Sequence, residues 1–336
     1  MHNARLVVIG ASLGGVAALR EICRGLPEDF GAAIGVVLHV GAYRSVLPAL
    51  LSSAGPLPAV HAEDGAPLQK GRIHVAPPDQ HMRVEGDVLR LLRGPKEHHS
   101  RPAIDPLFRS AALSFGARTI GLVLTGMLDD GTPGMQAIKD LGGTCVVQDP
   151  SEAEAPSMPL SVLRHVAVDH CVPVREMAPL LCKLIDQPVE ESPVPMPQRD
   201  RTVHEEAVLL GQGDVIAHLR AIGQPSTFAC PDCGGTLWQL AGTSPQRFRC
   251  HTGHAFTLET LRASQSLSTD EALWSSIRAL QEKRELVLQA EKAAAAQGNT
   301  RLASALASEA ATLHDHTSAL RGLVQGIGEI TTARCE

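Results

Sequence analysis

Leu6-Val7-Val8-Ile9-Gly10-Ala11-Ser12-Leu13-Gly14-Gly15 reads as a buried strand turning sharply into a helix. The run Leu6–Gly10 is short, apolar and rich in β-branched residues, which suits a strand covered on both faces. Glycines on either side of Ser12 let the backbone bend tightly and keep side chains away from its hydroxyl. The stretch contains G-x-S-x-G, the pattern of a serine on a strand-to-helix turn. A helix start there presents free N–H groups able to stabilise an oxyanion. A glycine-rich βα turn also serves dinucleotide phosphates, and a plain connection needs no chemistry at all. The dinucleotide reading fits poorly: the glycines fall as G-x-x-x-G-G, and the next strand ends in His39 where a ribose-binding acid is expected.

Outward from this turn, strand-like and helix-like patterns alternate to about Ile185. Strands are expected at Leu6–Gly10, Ala33–Leu38, Arg72–Ala76, Ile120–Leu124, Thr144–Val147 and His165–Asp169. Helices are expected at Gly15–Arg24, Ala103–Phe115, Gly134–Leu141 and Val174–Ile185. The alternation predicts an α/β domain over residues 1–185, doubly wound around a mostly parallel sheet. The turn-rich stretch Arg72–Leu91 predicts an antiparallel hairpin added to that sheet. Residues 186–203, with Pro188, Pro193, Pro195 and Pro197 among charges, read as a linker. Residues 204–265 form a small Cys-rich β module preceded by a short helical pattern, and residues 266–330 a helical hairpin. In the hairpin Leu273, Ile277, Leu280 and Leu288 precede the turn Gly298-Asn299, and Leu302, Leu306, Leu313 and Leu320 follow it at helical spacing. A partner-binding coiled coil would need no different sequence.

Bulk properties narrow the function classes. Of 336 residues 44% are apolar, enough to bury a core, whereas aromatics are 3% and the formal net charge is −6. Neither base stacking nor attraction to phosphate backbones is expected, so nucleic acid is not an expected partner. No apolar run approaches the roughly 20 residues needed to span a bilayer, and no secretion signal opens the chain, so no membrane insertion is expected. Of the eight cysteines, Cys23, Cys145, Cys171 and Cys182 sit singly in apolar patterns and Cys335 lies at the tail. That distribution suits a reducing, cytoplasmic compartment.

His39 changes the weight of Ser12. A serine and a histidine that end adjacent parallel strands are placed to approach each other at the edge where open α/β sheets bind ligands. A carboxylate should then orient the imidazole. Leu124-Thr125-Gly126-Met127-Leu128-Asp129-Asp130-Gly131 follows another strand and supplies two aspartates, between which spacing does not choose. Helix capping before Pro133 is their alternative role.

Together with Ser100-Arg101-Pro102-Ala103-Ile104-Asp105 and Ile73-His74-Val75-Ala76-Pro77-Pro78-Asp79, these motifs resemble, in collinear order over about residues 5–185, the catalytic domain of the chemotaxis protein-glutamate methylesterases, CheB. The resemblance implies Ser12 as nucleophile, His39 as general base and Asp130 as the orienting carboxylate. It implies oxyanion donors at the backbone of Leu13 and Met127, with Arg101 and Asp129 near the substrate. The implied reaction is hydrolysis of glutamyl γ-methyl esters on methylated chemoreceptors, with glutamine deamidation at the same sites and no catalytic cofactor. Three departures touch substrate preference: Leu13 replaces the family's threonine, Leu38-His39-Val40-Gly41 its context around the histidine, and Ser100 the histidine before Arg101-Pro102. No receiver domain precedes the catalytic region, so phosphorylation-gated activation within this polypeptide is not expected.

Cys230-Pro231-Asp232-Cys233-Gly234-Gly235 has the form of a metal knuckle, and Cys250-His251-Thr252-Gly253-His254 can complete a Cys₃His set suited to structural zinc. Either His251 or His254 reaches by spacing; His254 is favoured because the residues between allow a turn. The bland reading is a metal-free hairpin held by Leu237, Trp238 and Phe248. The C-terminal helices are expected to dock a signalling partner or a second copy. Two other readings of the whole chain remain: an inactive scaffold that binds through its tail, and a nucleotide-binding protein.

Overall fold

Alternation along β1 (Leu6–Ala11) divides the core into two layers. Val7, Ile9 and Ala11 face one side of the sheet, and Leu6 and Val8 face the other. The computed structural model describes residues 4–39, 45–189 and 196–332. Val40, Gly41, Pro193, Pro195 and Cys335 lie outside them. Against the first layer pack α1 (Gly15–Gly25), α2 (Leu47–Ser52) and α6 (Val174–Asp186), through Leu19, Ile22, Leu51, Met177 and Leu181. Against the second pack α3 (Ile104–Phe115), α4 (Thr132–Asp140) and α5 (Ser157–His165), through Leu107, Phe108, Ile138, Met158 and Val162.

The remaining strands of the sheet are β2 (Ala33–Leu38), β3 (Ala59–His61), β4 (Ile73–Val75), β7 (Thr119–Val123), β8 (Thr144–Gln148) and β9 (His170–Val172). The order is β3-β4-β2-β1-β7-β8-β9, and every pairing is parallel. This is the expected doubly wound sheet. Strand β5 (His81–Glu85) and β6 (Val88–Leu92) pair antiparallel as a separate two-stranded sheet. The expected antiparallel hairpin is present, with narrower bounds and its own sheet: Ile73–Val75 belongs to the parallel sheet, and β5–β6 packs over α3 through Met82 and Val84.

Two further expectations shift. His165–Asp169 is not a strand: Val162 and Val166 close the end of α5, with the Val166 N–H on the Val162 carbonyl at 2.8 Å. Asp169 caps instead, accepting from the Cys145 N–H at 2.8 Å, and the strand begins one residue later. The expected linker shortens as well. Met196–Leu210 forms α7, with Pro197 in its first turn, where a missing N–H costs nothing.

The contacts divide the chain into two units, Met1–Leu261 and Arg262–Glu336. Besides the α/β sheet, the first holds α7, α8 (Val215–Ile222) and a four-stranded antiparallel sheet. Its strands are β10 (Gly223–Ala229), β11 (Thr236–Leu240), β12 (Arg247–Cys250) and β13 (Ala255–Thr257). Long helices α9 (Leu258–Ala296) and α10 (Thr300–Thr332) follow. Within the second unit they meet through Val287, Ala310 and Leu313 around a turn at Gly298, whose φ of 75° favours glycine. No helix among the described residues is long and apolar enough to cross a membrane.

Candidate active site

Sheet register sets the serine beside the histidine. Ala11 lies opposite Leu38 in the parallel β1–β2 pair, so one residue further on Ser12 stands next to His39. The His39 N–H continues the ladder to the Ala11 carbonyl at 3.1 Å. On the other flank Gly10 lies opposite Val123, and the Ser12 N–H reaches the Thr125 carbonyl at 3.0 Å. These three strand ends meet where the strand order reverses, the crevice in which open α/β sheets bind ligands. Gly126 presses directly on the serine: a Cβ there would stand 2.8 Å from Ser12 Cβ and collide with Met158 Sδ.

Between the two aspartates the geometry separates the partners. His39 Nε2–H donates to Asp130 Oδ2 at 2.7 Å. The same carboxylate accepts the N–H groups of Ile104 (2.8 Å) and Asp105 (3.2 Å), at the positive end of α3. Burial alone would favour the neutral acid; the His39 hydrogen bond and the nearby His98 bring the Asp130 carboxyl below its ordinary range. Asp129 turns the other way. Burial pushes its carboxyl up to about 6, against the His98 charge and a hydrogen bond from Thr257, and its Oδ1 finds no partner. Arg101 is also committed elsewhere: Nε and Nη2 hold Asp79 Oδ1 at 2.8 and 2.6 Å, and Nη1 the Gly94 carbonyl.

Two backbone donors beside the serine stay open. Among the described residues the N–H groups of Leu13 and Met127 donate to no acceptor, while their surroundings are pinned: Thr125 Oγ1–H holds the Leu13 carbonyl at 2.9 Å and the Gly126 N–H holds Ala155 at 2.8 Å. Leu128 adopts φ 61°, an uncommon conformation for a branched side chain, and such strain concentrates at functional sites. Leu13 and Met127 are 53% and 55% exposed, so the crevice is open.

Behind these residues lie buried charged side chains that the sequence motifs did not single out. Buried His98 donates from Nε2 to Asp105 Oδ2 at 2.9 Å, and Asp105 Oδ1 accepts the N–H groups of Gly131 and Gly134 at the start of α4. Glu97, fully buried, takes Arg109 (2.7 Å) from α3 and Arg249 (2.9 Å) from β12. The run Glu97-His98-His99, just ahead of Ser100-Arg101-Pro102, was the available signal.

The four expected metal ligands converge. Donor atoms of Cys230, Cys233, Cys250 and His254 all lie within 4.8 Å of one another, and His251 is not among them. Cys233 Sγ stands 3.7 Å from Cys250 Sγ, and Cys250 Sγ 3.5 Å from His254 Nδ1. Tetrahedral zinc, with bonds of about 2.3 Å to sulfur and about 2.0 Å to nitrogen, needs edges of roughly 3.8 and 3.5 Å. Both knuckles close on backbone hydrogen bonds, Gly234 N–H to Cys230 O and Gly253 N–H to Cys250 O. Hydrogen bonds from Cys230 and His254 favour the thiolate of Cys250, the form that ligates. The residues fit the metal.

Fold and site define an α/β protein with serine, histidine and aspartate gathered at the carboxyl ends of a doubly wound sheet. The family model described as CheB methylesterase matches residues 7–181, and the chain belongs to that family. A "Protein-glutamate methylesterase/protein-glutamine glutaminase 2" of Anaeromyxobacter dehalogenans is 40% identical over 54% of this chain and 54% of its own, so the chain spans about half of that relative. A relative from Leptospira interrogans is 34% identical over 56% of this chain and 99% of its own length. The crystal structure of the Thermotoga maritima CheB methylesterase catalytic domain matches with a TM-score of 0.52 and 33% identity, over 54% of this chain and 99% of that one.

Proposed function

We propose that this chain is a cytoplasmic serine esterase that hydrolyses γ-methyl esters of glutamate side chains on methylated chemoreceptors, and deamidates glutamines at the same sites. The carrying observation is the register that sets Ser12 beside His39, whose Nε2–H is held by an ionised Asp130 at 2.7 Å. The relatives' names supply the substrate class.

With Nε2–H given to Asp130, Nδ1 is the nitrogen left to take the Ser12 proton. In the chymotrypsin arrangement the two nitrogens have the opposite roles. Ser12 Oγ attacks the ester carbonyl, and the Leu13 and Met127 N–H groups receive the developing oxyanion. The imidazolium returns its proton to the departing methoxide, which leaves as methanol. Water, deprotonated by His39, then splits the glutamyl–Ser12 ester and restores both groups. Methanol release from methylated receptor tests the proposal: wild type should release it and bind a fluorophosphonate covalently at Ser12. A folded protein that does neither is a scaffold instead.

Gly126→Ala should cost about 1–3 kcal/mol from overpacking, and slow fluorophosphonate labelling as Ser12 is displaced. Unchanged melting and labelling would refute that contact.

Cys230, Cys233, Cys250 and His254 would hold a structural zinc that cross-links the two knuckles and takes no part in ester chemistry. Asp232, held by His99 at 3.1 Å and 3.9 Å from His254 Nε2, puts a negative charge beside that ring. Purified protein should carry about one equivalent of zinc. Cys233→Ser should lower that content and the melting temperature. Metal analysis far below one equivalent rejects the site.

A further inference from the structure

We infer that His98 is a positioning residue of the esterase centre, clamped there by the Cys-rich module; the inference rests on the esterase reading above. His98 joins two buried carboxylates that serve each other's helices. Asp130 accepts the first N–H groups of α3, Asp105 accepts those at the start of α4, and His98 Nε2 lies 2.9 Å from Asp105 Oδ2 and 4.0 Å from Asp130 Oδ1. Two carboxylates this close, in a site that excludes water, disfavour each other's ionised form unless a cation stands between them. Burial opposes charge on His98, but Asp105, Asp130 and Asp129 hold its pKa up at about 9. Glu97, Arg109 of α3, Glu205 of α7, and Arg247 and Arg249 of β12 line the same cavity, and His98 Nδ1 lies 3.4 Å from Thr260 Oγ1.

The conformation that delivers this imidazole is strained. His98 and His99 have φ of 51° and 60°, two consecutive left-handed residues without glycine. Contacts from the module hold them. The His98 N–H donates to the Ala255 carbonyl of β13 at 2.9 Å. Glu97 bridges to Ala255 and binds Arg249, and His99 Nδ1 reaches Asp232 at 3.1 Å with its ring against Phe256. A segment so constrained from outside the α/β sheet has an evident use in fixing the Asp105–Asp130 pair, and through it the tilt of His39.

The test compares full-length wild type, His98→Met and His98→Gln for methyl ester hydrolysis across pH, with melting temperature and fluorophosphonate labelling in parallel. His98→Met should lower kcat roughly 10- to 100-fold with KM little changed, as for a displaced catalytic group. Losing the cation beside Asp130 changes the charge around the site, so the acid limb of kcat/KM should shift in both variants. Gln, which keeps a donor toward Asp105, should recover most of kcat while retaining the shifted limb. If His98→Met does not fold, the His98→Gln profile decides alone. Folded variants with the wild-type kcat and pH profile overturn the inference and leave the esterase reading standing. A wild type that releases no methanol and takes no label overturns both.

Discussion

Alanine at position 12 is expected to lower kcat for glutamyl methyl ester hydrolysis by on the order of 10⁴- to 10⁶-fold with KM little changed. The serine oxygen is half-buried at a strand end, and its loss removes one atom without disturbing the Ser12 N–H to Thr125 bond or the two ladders that build the turn. What remains is water attack assisted by two backbone N–H groups, worth the residual thousandfold or so that such a site keeps. Asp130→Asn should also be severe, about 10⁴-fold, because the amide leaves His39 in the wrong tautomer. The two losses should not add, since the residues act as a unit. Methanol release, with intact-mass detection of the fluorophosphonate adduct, reads all three proteins; Ser12→Ala that still turns over or still labels would remove Ser12 as nucleophile.

That the strand ends carry the site was legible because β1 and β2 are buried on both faces and read as unbroken apolar runs, which placed Ser12 and His39 at their limits. The choice between Asp129 and Asp130 was not legible from spacing. It is made by the left-handed turn at Leu128 and by α3, whose first N–H groups arrive from 25 residues earlier in the chain to hold Asp130. His98 carried only a weak signal for a related reason: a histidine pair among polar residues reads as a solvated loop until a distant segment closes over it. The candidate metal ligands were legible since each pair is local, and only the meeting of the two knuckles required the fold. The docking of the Cys-rich part left no trace in the sequence. Its charges lie between Arg83 and Arg249, and each alone looks like an ordinary surface residue.

Glu97→Gln is therefore the substitution expected to damage stability most. Three carboxylates, Glu97, Glu205 and Glu206, are interleaved with four guanidiniums, Arg83, Arg109, Arg247 and Arg249. Glu97, Arg109 and Arg249 have side chains no more than 1% exposed. Burial would raise the Glu97 carboxyl, but Arg109 and Arg249 hold it well below its usual range. With its folded pKa depressed, the stabilisation from ionised Glu97 is present above about pH 4.3 and lost as the pH falls through the folded value. Glutamine keeps the shape and removes the charge, leaving the buried guanidiniums of Arg109 and Arg249 with only Glu206 (3.0 Å) and Glu205 (3.8 Å) as counterions. Breaking a buried pair in this way costs about 3–5 kcal/mol, which for a unit of this size lowers the apparent melting temperature by roughly 6–20 °C at neutral pH. The exposed pair Glu85–Arg90 is the matched control: Glu85→Gln should change stability by less than about 1 kcal/mol. Calorimetry of both variants separates the cases. If Glu97→Gln melts within a degree of wild type, the network does not hold the Cys-rich part in place, and the clamp on His98 loses its anchor.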